Sequence, residues 1–379
     1  MDLTTLAYLV LLGLGIIGTD AVVHHNSVVV EVSASPKTDK MAVDQATLTT
    51  GFKDDLYEIT RVNSLQSVVP PEIRMTEDQG VGMAIAKAVN LEGVAYALQD
   101  QFRVRPDTIR FSLYIQNGQV RGFIAGHSRS LGYFHNILVP KKDEALMRFV
   151  HRCALWSAEQ LAPYATALYL LQKHTADGKF DAVAKIAKTA EARLPPTPTS
   201  ADRALFDNLL GIVALFKNDP KSAQQEFHQA MLDDPSNPVP FLNAALTDLQ
   251  IDDNRKAADR MQTLLRVAPP KNAVLRMTAY MTWGAALMGL KDLPRADRML
   301  QKATQIDPQS ATAFSLWAEE KRLADDTAAA ARLDRKAQIA SATFENYAEV
   351  GALWFHLSWR DNEPVIRNKF ANPTLVGYH

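Results

Sequence analysis

The sequence predicts an α+β chain in three parts: an N-terminal membrane helix, a small mixed α/β domain, and a C-terminal all-α array of paired helices. Three observations predict it. Residues 3–19 carry no charged side chain. Two alternating apolar runs flank Asn117-Gly118. In the C-terminal half, prolines and small residues recur in phase at steps of 34 and 39 residues. The parts are an anchor over 1–25, an α/β domain over 26–160, helical repeats over 161–345, and a capping helix and tail over 346–379.

Composition sets the frame. The chain has 379 residues, enough for two or three domains, and 47% of them are hydrophobic. The net charge of −1 gives no electrostatic footprint for nucleic acid. The single cysteine, Cys153, excludes an internal disulfide framework and a cysteine zinc cluster.

The first element contains Gly13, Gly15 and Gly18 in the spacing G-x-G-x-x-G. A dinucleotide turn needs a strand before these glycines, a helix opening at them, and an acid about 20 residues later. Glu31 falls near the right place. The segment after Ile16, however, runs through His24 and His25 into a valine run that favours a strand. The bilayer reading fits better. Leu3 to Thr19 is bracketed by Asp2 and Asp20, and as a helix it spans roughly 25 Å. No basic region precedes Leu3, which argues against a cleaved signal peptide. The face carrying Gly13, Gly15 and Gly18 then suits packing on a partner's membrane helix. Orientation stays open, because the first following cations are Lys37 and Lys40.

In the middle segment, "SVVVEVSAS" reads as a strand, and Leu48, Phe52, Leu56 and Ile59 fall at helical spacing. A strand near Met83–Val89 and a helix N-capped by Asn90 follow. "TIRFSLYIQNGQVRGFIAG" is a hairpin turning at Asn117-Gly118. "DEALMRFVHRCALWSAEQL" is an amphipathic helix leading into the repeats. The order gives a mixed sheet. "VVVEV" followed by "LTTGFKDDLYEITRV" loosely resembles the small α/β modules of bacterial envelope proteins, such as the N-terminal domain of TolB and its curli-assembly relative. That resemblance implies a periplasmic assembly part.

In the third part, Pro235, Pro269 and Pro308 are 34 and 39 residues apart. Ala223, Ala257, Ala296 and Ala330 keep these steps, as do Gly211, Ala245, Gly284 and Ala318. Phe227, Met261 and Leu300 form a large apolar column, and Ala230, Leu264, Ala303 and Ala337 a mostly small one. A unit of this length suits two antiparallel helices closed by a proline. Five extra residues before the third unit lengthen a turn or a helix end.

These columns resemble the tetratricopeptide repeat (TPR) family over about 163–344. The first unit carries Leu210-Gly211, Ala223, Phe227, Ala230 and Pro235. The second keeps Phe241, Ala257 and Pro269. The third has Tyr280, Trp283-Gly284, Ala296, Leu300, Ala303 and Pro308. The fourth keeps Phe314, Ala330 and Ala337, and a degenerate unit upstream centres on Ala182. The resemblance implies a right-handed TPR superhelix whose concave face binds proteins or peptides. A carboxylate-clamping variant of such grooves uses Lys, Arg and Asn on the first helices. Here those faces read Leu205, Asn208, Ile212 and Leu215, then Leu242, Asn243, Leu246 and Leu249, then Met281, Ala285 and Met288. Asn243 fits a clamp asparagine, but the basic partners are missing. Such an apolar row suits an amphipathic or extended apolar partner segment, or it packs on the chain's own middle domain or C-terminal tail. After the array, Trp354, Phe355 and Trp359 mark a packed capping helix or a partner contact.

Motifs for chemistry are weak. "GHSRS" at 126–130 nearly spells a nucleophile elbow, but the second glycine is Ser130 and no helix follows. His24, His25, His127, His135 and His151 lack metal-ligand spacing. Cys153 fits a structural residue better than a nucleophile. Asp54-Asp55 and Asp252-Asp253 read as solvated surface or turn residues. The sequence therefore points to a non-enzymatic scaffold without cofactor or metal. It would be single-pass in the bacterial inner membrane, its soluble part periplasmic, with the lipid bilayer and protein subunits of a membrane complex as partners. The alternative is a ligand-sensing or enzymatic α/β domain regulated by the repeats.

Overall fold

The computed structural model describes residues 27–35, 44–62, 64, 72–75, 107–128, 132–174, 178–194 and 200–340. The chain divides into two compact units, the first reaching Tyr169 and the second continuing from Leu170. The N-terminal apolar segment with Gly13, Gly15 and Gly18, the strand near Met83–Val89, the Asn90 helix and the tail after 345 lie outside the described residues. No helix among the described residues is long and apolar enough to cross a membrane.

The first unit is built on a five-stranded sheet in the order β2-β1-β3-β4-β5. Its strands are β1 (Ser27–Ala34), β2 (Glu72–Met75), β3 (Asp107–Gln116), β4 (Gln119–Ser128) and β5 (Gly132–Leu138). β1 runs parallel to β2 and β3, while β3, β4 and β5 are antiparallel. The sheet is therefore mixed, as the sequence expects. The hairpin turns at Asn117 (φ 53°) and Gly118 (φ 73°), the two positive angles that a two-residue turn matched to strand twist requires.

Two helices cover one face of this sheet. α1 (Gln45–Thr60) opens on Asp44, whose side chain accepts from Thr47 N at 2.7 Å. It buries Leu48, Phe52, Leu56 and Ile59, the spacing read from the sequence. The Phe52 ring stacks on Phe111 with centroids 4.5 Å apart. α2 (Leu146–Leu161) buries Phe149, Val150 and Cys153. A Cβ at Gly122 would come within 3.0 Å of Cys153 Sγ, so the glycine lets α2 sit close to β4. On the other face, Arg110 pairs with Glu31 at 2.9 Å and Ser33 with Ser112 at 2.7 Å.

β2 and β5 are additions to the expected order. β5 lacks the contrast that marks a half-buried strand: Tyr133 and Ile137 point apolar groups to solvent while Phe134 and Leu138 occupy the other side. A period of two cannot be read from a strand that is apolar on both faces.

The second unit contains the end of α3 (Pro163–His174), then α4 (Asp181–Glu191), α5 (Ala201–Phe216), α6 (Pro220–Asp233), α7 (Pro238–Gln250), α8 (Asn254–Val267), α9 (Ala273–Gly289), α10 (Leu293–Ile306), α11 (Ala311–Leu323) and α12 (Thr327–Ile339). From α4 onward each helix packs on the next. The result is an α+β chain with a helical repeat region.

One local device sets the pairing. Asp219, Asp253, Asp292 and Asp326 each donate a backbone N–H to a carbonyl of the helix before, on Ala214, Asp248, Leu287 and Lys321, all at 2.9 Å. Each also caps the helix after it with its side chain. The residue before each aspartate, Asn218, Asp252, Lys291 or Asp325, has φ of 59–62°. One dipeptide thus closes the first helix of a unit and opens the second.

The repeat columns become contacts. A Cβ added at Gly211 would lie 2.5 Å from the Phe227 ring, and one at Gly284 would lie 2.7 Å from Leu300. The small column is small because the paired helix crosses there. The five extra residues of the third unit are mainly helical: α9 has 17 residues where α7 and α11 have 13. The degenerate unit is off by one residue in the sequence reading. Ala182 is exposed, and Val183, Ala187 and Ala190 occupy the buried phase of α4.

Candidate interaction surface

The residues assigned to a partner groove lie on the first helices of three successive units, α5, α7 and α9. The neighbouring first helices touch, α5 with α7, α7 with α9, and α9 with α11, so these side chains do form one row. Asn208, Ile212 and Leu215, then Leu242, Asn243 and Leu246, then Met281, Ala285 and Met288 are all buried. Leu205 and Leu249 are half-buried. Helices lined this way are apolar almost all round: α5 buries an unbroken run from Phe206 to Val213, and α7 one from Leu242 to Asp248. Side chains this deeply buried present little surface to an outside partner, and the accessible part of the row is at Leu205 and Leu249.

Polar groups in the row hold each other. Asn243 Nδ2 donates to Asn208 Oδ1 at 2.8 Å across adjacent units. Thr247 Oγ1 donates to Asn243 O, and Thr282 Oγ1 to Thr278 O, each within its own helix. Asn243 is thus tied to a second asparagine, which satisfies half of each amide.

The sequence reading missed the carboxylate that clamps this region. Asp248 is fully buried near the end of α7. Its Oδ1 accepts from Gln224 Nε2 at 2.8 Å and faces Lys256 Nζ at 3.2 Å, while Oδ2 accepts from Arg260 Nε at 2.6 Å. One side chain ties α6, α7 and α8 together. No other unit has an acid at this phase, so repeat columns gave no signal for it; the signal was a lone acid in an apolar helix.

Cys153 is buried, and desolvation pushes its thiol up to about 12, so it is held as a thiol. Gly126, His127 and Ser128 belong to β4, which continues into an antiparallel strand. The strand-to-helix turn of a nucleophile elbow does not occur there. His151 Nδ1 meets Asp55 Oδ1 at 2.9 Å. Asp55 is therefore a partly buried tether between α1 and α2, where the sequence suggested solvated surface. Beside it, Tyr169 Oη donates to Glu58 Oε1 at 3.2 Å, and burial, then Glu58, raises the phenol above its ordinary value. Asp252 is a turn residue, as the sequence suggested, while Asp253 is a helix cap. Among the described residues, no three His, Cys, Asp or Glu side chains converge as metal ligands.

No family model matches the chain, and no curated protein does. Solved structures similar to it include PilF of Pseudomonas aeruginosa, with 16% identity over 54% of this chain and 84% of that one and a TM-score of 0.40. Residues 41 to the end of MamA from Desulfovibrio magneticus RS-1 match with 18% identity over 47% of this chain and 94% of that one, with a TM-score of 0.37.

Proposed function

We propose that this chain is a non-enzymatic scaffold, held at the bacterial inner membrane by residues 1–25, that docks onto or helps assemble a membrane complex. The observation carrying the reading is the four-fold recurrence of a helix pair closed by one aspartate. Stacked helix pairs create an extended surface without any catalytic apparatus, and such surfaces serve as docking platforms. The uncharged stretch Leu3–Thr19 supports the anchor, and anchoring raises the effective concentration near membrane partners. The resemblance of "VVVEV" and "LTTGFKDDLYEITRV" to envelope modules supports a periplasmic soluble part. Leu205 and Leu249, the half-buried members of the row, are the place where an apolar partner segment would meet it.

The test is affinity purification of the full-length protein in mild detergent with crosslinking, beside a variant lacking residues 1–25. A defined membrane complex that the full chain recovers from the membrane fraction, together with a soluble truncated variant, supports the reading. A partner-free protein carrying a stoichiometric small molecule overturns it and favours ligand sensing by the α/β unit. A truncated variant that stays in the membrane fraction overturns the anchor.

A further inference from the structure

The first complete unit departs from the others at two matched positions. Four residues before the small column, the later units carry Phe241, Tyr280 and Phe314, and the first carries Asp207. Three residues after the second small column, the later units carry Val267, Ile306 and Ala340, and the first carries Asp233. In the fourth unit both positions, Phe314 and Ala340, belong to one apolar cluster. In the first unit the two positions hold carboxyl groups, and the Asp207 side chain interacts with that of Asp233. Asp207 is 3% exposed and Asp233 5%.

Two ionised carboxylates in contact and out of water repel strongly, so such a pair holds a proton. The surroundings favour that outcome. No donor reaches Asp207 Oδ2, which is buried. Glu191 at the end of α4 and Glu226 on α6 add negative charge around Asp207. On Asp233, Gln229 Nε2 donates to Oδ2 at 3.3 Å. The positive groups nearby are Lys188 on α4, which faces Glu226, and Arg203, one turn earlier on α5. On α7 the buried acid, Asp248, is taken up by Lys256 and Arg260.

We propose that Asp207 and Asp233 form a proton-operated latch at the first unit, in which the protonated Asp207 carboxyl donates to Asp233 and fastens α5 to α6, so that acidification tightens the start of the array. Burial, with Glu191 and Asp233 behind it, lifts Asp207 from 3.8 to about 8. Burial also raises Glu226. A folded-state value above the unfolded one means that the stabilisation is complete below pH 3.8 and is lost as the pH rises to about 8. The stabilisation therefore weakens steadily from acid through neutral pH and is spent above about pH 8.

Hydrogen exchange of the full-length protein between pH 5 and pH 8 tests this. The exchange of α5 and α6 is expressed relative to α9 and α10 in the same chain, which cancels the intrinsic pH dependence. Relative opening of α5 and α6 should rise with pH, toward about tenfold per pH unit. Asp207→Asn should remove that slope. The double variant Asp207→Phe with Asp233→Val copies the second unit's pair and should fold with a flat profile. The infrared carbonyl band of a protonated carboxyl should be present at pH 7 in the wild type and absent in Asp207→Asn. A pH-independent ratio in the wild type, a wild-type slope retained in a folded variant, or the missing band overturns the latch.

Discussion

Gly211 lies directly against the ring of Phe227: a methyl group there would sit 2.5 Å from Cε1, 2.7 Å from Cδ1 and 2.9 Å from Cζ. An aromatic ring locked in a helix crossing cannot step aside as an aliphatic tip can. Gly211→Ala gains about 1 kcal/mol of helix propensity but incurs about 1–3 kcal/mol of overpacking. The expected net loss is about 0–2 kcal/mol in denaturant unfolding. Combined with Phe227→Leu, the loss should fall short of the sum of the single variants by about 0.5–2 kcal/mol. Strict additivity would show that the contact does not govern the crossing. Gly284→Ala should cost less, because Leu300 can change rotamer.

Asp253 has two duties at one turn, and substitution separates them. Its backbone N–H closes α7 whatever the side chain, while its carboxylate accepts from Lys256 N at 3.1 Å to open α8. Asp253→Ala should cost about 1 kcal/mol, and Asp253→Asn only a fraction of that. Equal losses in the two variants would exclude capping as the cause.

Glu144 is tied to Arg152 at 3.0 Å and 2.7 Å, and its Oε2 also accepts from Lys141 N at 2.7 Å. The Arg152 hydrogen bond, working against burial, holds the Glu144 carboxyl down at about 2. A folded value below the unfolded one gives stability that is present above about pH 4.5 and lost as the pH falls toward about 2. Glu144→Gln should therefore flatten the acid limb of stability in that window, read from urea midpoints. An unchanged acid limb would mean that the pair does not persist in solution.

Cys153 is buried beneath the sheet, and desolvation lifts its thiol from 9.0 to about 12. The thiolate is then about a thousandfold scarcer than in the unfolded chain. A disulfide reagent should leave the native protein unmodified on the timescale that titrates the thiol completely in urea. Rapid native labelling would indicate opening of α2 away from β4.

Much of the fold was legible because it is written along the chain. The Gly211-Ala245-Gly284-Ala318 column reports where helices cross, and it needs only residue size at fixed phase. The Asn117-Gly118 hairpin and the Leu48-Phe52-Leu56-Ile59 stripe are equally local. The Asp219, Asp253, Asp292 and Asp326 column was present too, at the same steps, and went unread because capping residues are polar and resemble ordinary loop surface. β5 went unread because both its faces carry apolar groups.

By itself, then, the sequence determined the period, the helix pairs, the hairpin and the apolar row from Leu205 to Met288. Those features depend on neighbours three, four or two residues apart, or on a recurring step, and a linear pattern records them. Only the tertiary structure decided that the row is buried, that Asn208 meets Asn243, that Asp248 gathers Gln224, Lys256 and Arg260, and that Asp207 is set against Asp233. Each joins side chains on different helices, and whether a polar group meets water, a cation or another carboxyl depends on packing, which no spacing encodes.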